Sequence, residues 1–188
     1  MTAVYIALIV LQIGVIVFFI RRNKIQAKEL AEKQAMPAAD TYEGLRTLAM
    51  SVTPANLKLV IPPQETLVYG IVMDWDMGNA IATLVAYITG AASLCFSTGG
   101  VVAGGGKSPV VGEAAVALVT TAQTFLERAI PVTAADLPPK ACVRFYFLTN
   151  KGTFAAQELT KHFEDASSPW LDLFARGNVV INAIRESE

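Results

Sequence analysis

The chain has 188 residues, of which 16% are charged and 53% are hydrophobic, and its formal net charge is -1. Soluble domains average about a quarter charged residues, so this composition indicates that part of the chain lies in lipid. The net charge gives no sign of nucleic-acid binding. Cys95 and Cys142 lie in apolar, strand-like runs without C-x-x-C spacing. We therefore expect two buried thiols in a reducing compartment, with a disulfide as the less favoured alternative.

Residues 3–20 predict a single transmembrane helix. They are apolar except for Gln12, and a helix of this length rises about 27 Å, close to the thickness of the hydrocarbon core. Arg21, Arg22 and Lys24 follow at once. The positive-inside rule therefore predicts an inner (cytoplasmic) membrane protein with its N-terminus outside and residues 21–188 in the cytoplasm. A cleaved signal peptide would instead need charge before the apolar run and a small-residue cleavage site after it.

Residues 21–39 predict a basic juxtamembrane stalk and linker. Residues 21–36 contain five basic and two acidic residues, a local charge of +3. The favoured interpretation is a solvated helix with Lys28–Glu32 and Glu29–Lys33 pairs, and the alternative is a segment lying on anionic headgroups. Pro37 begins the linker to a domain over residues 40–188.

That domain is predicted to be α+β. A capping box at Asp40 and Glu43 predicts a helix to about Met50. Strand-like runs cover residues 67–75, 80–89 and 92–97. Ser108 and Pro109 predict the start of a second helix, strands follow over 141–150 and to about 157, and Ser168 with Pro169 predicts the start of the last helix. Residues 158–167 are polar and are predicted to be irregular or to form a short helix.

The order α-βββ-α-ββ-α predicts one domain with a five-stranded antiparallel sheet. This arrangement is similar in style to profilin-like and roadblock/longin-type domains, as an analogy of fold alone. Separately, the segments Val72-Met73-Asp74-Trp75, Ser97-Thr98-Gly99-Gly100 and Gly104-Gly105-Gly106 resemble an MDW, STGG, GGG pattern shared by a group of uncharacterised bacterial membrane-anchored proteins. The resemblance covers roughly residues 45–185 and implies a bacterial domain without naming a catalytic residue.

The glycine-rich stretch 97–108 is the first candidate for a binding site. It ends in Gly106-Lys107-Ser108, but the first glycine of a Walker A motif would fall at Val101, so a P-loop is not predicted. Three interpretations stay open: a strain-free turn, a close contact with another protein, or an anion site that uses Lys107 and backbone N–H groups.

Two further places contain groups capable of chemistry. Asp74 and Asp76 flank Trp75 and would share one face of a strand, as an acid/base pair or metal site requires, although turn chemistry is the commoner role. His162 is the only histidine, and no nucleophile turn accompanies it. The candidate ligand- or partner-binding residues are Ser97, Thr98, Gly99, Gly100, Gly104, Gly105, Gly106, Lys107, Asp74 and Trp75.

The sequence thus predicts a membrane-tethered cytoplasmic interaction or scaffold module. Its expected partners are the membrane, through residues 3–20, and a protein partner or another copy of the chain. We expect no nucleic acid, metal, cofactor or catalytic residue. The alternative function is a small-ligand or anion sensor, or an enzyme, that uses the glycine-rich stretch 97–108.

Overall fold

The computed structural model describes residues 41–103 and 108–187, and of Val102 and Ala103 it describes the backbone only. All of these residues belong to the second of the two units into which the chain divides, Ala39–Glu188. The predicted transmembrane helix, stalk and linker, and Gly104 to Lys107, lie outside the described residues.

Seven strands and four α-helices make up the described part of the chain. The helices are α1 Tyr42–Ser51, α2 Pro109–Phe125, α3 Thr160–Glu164 and α4 Leu171–Glu186, with a 3-10 turn at Leu126–Arg128. The strands are β1 Val68–Asp76, β2 Ile81–Tyr87, β3 Ala92–Phe96, β4 Val101–Ala103, β5 Ile130–Val132, β6 Cys142–Thr149 and β7 Gly152–Leu159.

The strands form one sheet in the order β4-β3-β2-β1-β6-β7-β5, and every neighbouring pair is antiparallel. The predicted α+β class with an antiparallel sheet is therefore confirmed. The predicted count of five strands is wrong, because β4 and β5 add a three-residue strand at each edge. Both are too short to show a periodic pattern, and β5 contains Pro131, which usually argues against a strand away from an edge.

Each face of the sheet has its own apolar core. The two-helix face, covered by α2 and α4, buries Ile71, Met73, Leu84, Phe145 and Phe147 of the sheet. The α1 face buries Val72, Val85, Tyr146 and Leu148 under α1 and the segment that follows it. Burial on both sides explains why β1 and β6 read as continuous apolar runs instead of alternating patterns.

The sheet has two ends, which we name after residues in their turns. At the Asp76 end, β1 and β7 finish while β2 and β6 begin. At the Gly90 end, a turn with Gly90 at φ 86° joins β2 to β3. A Cβ on Gly90 would lie 3.2 Å from the Cα of Gly112, so α2 passes this turn closely near its own first residues.

The helix starts differ from two of the predictions. α1 is capped by Thr41, whose side chain accepts a hydrogen bond from the Gly44 amide at 3.1 Å, so the capping box predicted at Asp40 and Glu43 is wrong. The predicted start of α4 at Ser168 and Pro169 is too early, since α4 begins at Leu171 with Trp170 in the cap position. The Ser168 hydroxyl accepts a hydrogen bond from the Trp170 amide in the turn that precedes the helix. Pro109 is the first residue of α2 after Ser108, as predicted, although the Ser108 side chain makes no cap hydrogen bond.

Candidate functional site

A polar cluster lies under α1, around the carboxylate of Asp74. Asp74 stands on the α1 face of β1 and is completely buried, opposite Thr83 on β2 and Arg144 on β6. The Thr83 hydroxyl donates to Asp74 Oδ1 at 2.5 Å. Because that hydroxyl has a single proton, the 2.8 Å bond between Tyr42 and Thr83 must have Tyr42 as its donor.

Arg46 connects this cluster to the rest of the domain. Its Nε and Nη2 donate to Asp74 Oδ2 at 3.0 and 2.7 Å, and its Nη1 donates to the Ala135 carbonyl at 2.7 Å. The guanidinium also lies 5.5 Å from the centre of the Tyr146 ring. One side chain of α1 therefore joins the central strand to the loop that precedes β6.

The protein environment alters the acidity of groups in this cluster. Burial raises the pKa of the Tyr42 hydroxyl to about 12, and the Asp74 carboxylate adds to that rise. Burial, again with Asp74, raises the pKa of the Cys95 thiol to about 11. Both groups are therefore protonated at neutral pH, and neither is activated as a nucleophile.

The geometry of the cluster suits attachment of α1 better than catalysis. Both oxygens of Asp74 have partners, and the pairing with Arg46 is an ion pair whose side chains are 0% and 11% exposed. Among the described residues no group of three or more His, Cys, Asp or Glu side chains could hold a metal ion. Asp74, a predicted ligand- or partner-binding residue, is thus covered by α1 in this structure.

Asp76 and Trp75, the neighbours of Asp74, have separate surroundings. Asp76 Oδ1 accepts hydrogen bonds from the Gly78 amide at 3.1 Å and the Ala141 amide at 3.0 Å, which is the turn chemistry expected of it. Trp75 points to the two-helix face and meets the Phe174 ring edge-on, with 5.2 Å between ring centres. Asp74 and Trp75 therefore do not form one site.

The glycine-rich stretch 97–108 does not form one loop. Ser97 to Gly100 make the turn of a β3–β4 hairpin, in which the Gly99 amide donates to the Phe96 carbonyl at 3.0 Å and the Phe96 amide donates to the Gly100 carbonyl at 3.1 Å. Gly99 and Gly100 have φ values of 99° and 95°, which explains the glycines there. Ser97 Oγ accepts from the Ile81 amide at 2.8 Å.

The described residues of this stretch reach both ends of the sheet. The hairpin turn, including Thr98, belongs to the Asp76 end, whereas β4 leads back so that Ala103 pairs with Ser93 near the Gly90 end. α2 then begins near Gly90. Of the predicted binding residues, Gly104, Gly105, Gly106 and Lys107 lie outside the described part of the chain. The described portion explains Gly99 and Gly100 as residues of a turn.

A cleft of about 700 Å³ opens at the Asp76 end of the sheet. Its wall comes from the end of β1, the β1–β2 turn, the residues before β6 and the short helix α3. The lining residues are Trp75, Asp76, Met77, Gly78, Lys140, Ala141, Thr160, Lys161 and Glu164. Apart from Trp75, none of these residues was among the predicted binding residues.

His162 is positioned next to this cleft but does not line it. Its Nδ1 lies 2.6 Å from Glu158 Oε1, across one turn from β7 into α3. The Glu158 side chain also accepts from the Leu159 amide, and hydrogen bonds outweigh the effect of burial so that the pKa of Glu158 is lowered. The pair fixes the start of α3. Ser167 and Ser168 donate their amides to the His162 carbonyl, and among the described residues no serine or cysteine side chain is hydrogen-bonded to the His162 ring.

Sequence reasoning missed Arg46, Lys140 and Thr160. Arg46 follows Tyr42 by four positions, so both lie on one side of a helix. An arginine on the side that also carries Leu45 and Ala49 could have indicated a buried acidic partner. Its partner Asp74 is far away in the sequence, and no local pattern reports such a pairing. Lys140 and Thr160 come together only because β6 and β7 are neighbours, with Thr160 donating its amide to the Ala141 carbonyl at 2.9 Å.

No protein-family model, curated protein or solved structure matches the chain. The resemblance to bacterial proteins with the MDW, STGG, GGG pattern and the likeness to profilin-like and roadblock/longin-type domains therefore stay predictions.

Proposed function

We propose that the chain is a membrane-tethered cytoplasmic domain that associates with a second copy of itself through the outward side of α2. Residues 3–20 supply the proposed tether, on the sequence grounds given above. The observation that carries the self-association is the low charge of the outward side of α2, where Glu113 is the only charged residue.

The outward side of α2 is unusual for a surface helix. Val110 and Val116 are 64% and 37% exposed, and Glu113 is the only charged residue of the helix. The other exposed side chains along it are those of Pro109, Thr120 and Thr124. Surface helices normally place several charged residues on their outer side, so an outer side with a single charged residue favours a protein contact.

The composition of α2 also has a second explanation. Among the described residues, the segment Pro109–Arg128 is long and apolar enough to cross a membrane, with a mean hydropathy of 1.3. Val111, Leu118 and Phe125, however, are buried against the sheet and α4. These contacts favour α2 as a core helix whose other side is available for association.

A second copy fits this side of the helix for two reasons. Consider an antiparallel helix pair centred between Val116 and Ala117. Glu113 of one copy then faces Thr120 of the other, and the two Glu113 carboxylates lie about 10 Å apart along the helix axis. Small side chains let two helices approach closely. Tethering in one membrane also raises the effective concentration, so that a modest interface suffices.

Cross-linking of the full chain in membranes tests this proposal. Val116→Cys should give a covalent dimer with a short bismaleimide, because the native Cys95 and Cys142 are buried. Val60→Cys is the matched control, since Val60 is 98% exposed but follows α1 on the other side of the sheet. We expect dimer from the first variant only.

Charge insertion supplies the second part of the test. In the Val116→Cys background, Val110→Glu should remove the cross-linked dimer, because it would bury an unpaired carboxylate in the interface, whereas Val60→Glu should leave it. Equal cross-linking of the Val60→Cys variant, or a dimer that persists with Val110→Glu, would contradict self-association through α2.

A further inference from the structure

Three buried side-chain polar atoms have no hydrogen-bond partner in the described part of the chain. They are Trp75 Nε1, Arg144 Nε and Thr160 Oγ1. Trp75 pairs with Val143 across β1 and β6, Arg144 is the next residue of β6, and the Thr160 amide bonds to Ala141 just before that strand. A buried group without a partner costs about 1–3 kcal/mol. Native proteins retain few such groups, so the two that belong to one cleft, Trp75 Nε1 and Thr160 Oγ1, indicate a candidate functional site.

Two of these three side chains line the cleft at the Asp76 end. Trp75 and Thr160 belong to its wall, whereas Arg144 lies on the α1 face and is not part of it. The volume of about 700 Å³ is within the range of small-molecule sites. The cleft is open, but Trp75 Nε1 and Thr160 Oγ1 are themselves covered, so a ligand reaches them only when neighbouring side chains of the lining move aside.

The chemistry of the lining favours a ligand that accepts hydrogen bonds. The indole N–H of Trp75 can only donate. Lys140 and Lys161 are exposed and form no ion pair with any described carboxylate. The formal charges of the lining balance, with Asp76 and Glu164 opposing the two lysines, and the two backbone amides that Asp76 Oδ1 accepts hold its carboxylate in place.

We propose that this cleft binds a small organic anion, a carboxylate or phosphate group attached to an apolar body. The anion would meet Lys140, Lys161 and the Thr160 hydroxyl, and the apolar body would cover the Trp75 ring and Met77, which is 51% exposed. The anionic group could belong to a soluble molecule or to a lipid headgroup. This site does not depend on the self-association proposed above.

The test uses the ¹⁵N-labelled full chain in phosphatidylcholine nanodiscs. The chain has 2 tryptophans, Trp75 and Trp170, so two indole N–H signals report on two places. Phenylacetate and phenyl phosphate are titrated separately, and a third sample contains phosphatidylglycerol without either probe. We expect a saturable shift of the Trp75 signal in at least one arm, with the Trp170 signal unmoved. A shift only with phosphatidylglycerol identifies a lipid headgroup, and a shift with either probe identifies a soluble anion.

Variants decide whether the shift comes from this cleft. Lys140→Ala with Lys161→Ala should weaken binding at least tenfold. Lys58→Ala with Lys151→Ala removes the same charge outside the cleft and should change binding less than twofold. Thr160→Val should also weaken binding while leaving the melting temperature of the free protein unchanged or raised, because its hydroxyl has no partner there.

Three results would overturn the proposal. They are the absence of saturation below about 10 mM in every arm, equal weakening by the two double-lysine variants, and a Trp75 shift that Thr160→Val leaves unaltered. All three results are measured as ligand binding. A separate melting curve of each variant shows whether the variant is folded.

Discussion

Replacement of Arg46 should loosen α1 from the sheet and cost a large part of the domain's stability. Arg46→Ala leaves Asp74 fully buried with only the Thr83 hydroxyl as partner. Removing one member of a buried ion pair costs about 3–5 kcal/mol, because the other charge stays uncompensated. Little apolar burial would compensate, since Gly44 is the only buried residue within α1.

A double-mutant cycle separates this effect from ordinary packing. Arg46→Met with Asp74→Leu removes both charges at similar volume, so the pair should cost much less than the sum of the single variants. Arg176→Ala is the matched control. Its pair with Asp172 spans 3.8 Å between side chains that are 50% and 62% exposed, and its loss should cost about 0.5 kcal/mol or less.

The measurement is urea unfolding of the full chain in mild detergent, with hydrogen exchange to locate the change. Arg46→Ala should lower the free energy of unfolding and speed exchange of amides over residues 42–51 in particular. A cost below about 1 kcal/mol, or one equal to that of Arg176→Ala, would refute the argument that the Arg46–Asp74 pair attaches α1.

Two other predictions concern the sheet ends and alkaline pH. Gly90→Ala should lower the free energy of unfolding by about 1 kcal/mol more than Gly78→Ala, as measured by thermal unfolding. Both glycines have positive φ, but a Cβ on Gly90 would also lie 3.2 Å from the Gly112 backbone. A Cβ on Gly78 would have no neighbour within 4 Å. The raised pKa of Tyr42 means that its protonated hydroxyl stabilises the fold fully below pH 10 and that this contribution is lost as the pH rises towards about 12. Tyr42→Phe should therefore flatten, without abolishing, the fall in melting temperature between pH 9 and 12; an unchanged slope would show that Tyr42 does not contribute to it.

The elements that sequence reasoning recovered are those with strong local patterns. The five longer strands and the buried side of α2 follow from apolar runs and from residues such as Val111, Leu118 and Phe125 at helical spacing. The edge strands β4 and β5 were not predicted, because three residues are too few to show the alternation of apolar and polar side chains that marks a strand. The cap of α1 was predicted wrongly because both Asp40 and Thr41 are residues that commonly cap a helix. Which of them does so depends on where the helix meets the sheet, and this is not visible in the local sequence.

The candidate site was less predictable than the fold. The stretch 97–108 stands out because it contains five of the chain's 13 glycines, yet the hairpin explains Gly99 and Gly100 without a ligand. Asp74 stands out in the sequence as one of two carboxylates that flank Trp75, but its role depends on Arg46, which only the folded chain brings near. The cleft combines residues from three distant segments, and no spacing within one segment could have revealed it.

The position of β1 at the centre of the sheet also bears on the order of folding. β1 to β4 form a meander of neighbouring segments, whereas the pairing of β1 with β6 must wait until α2 and the following loop have been synthesised. Closing that long connection is the slow step expected for a non-local pairing. During translation the apolar edge of β1 is consequently exposed while β6 is still in the ribosome, which makes this edge the place where a newly made chain is most open to mispairing and chaperone binding.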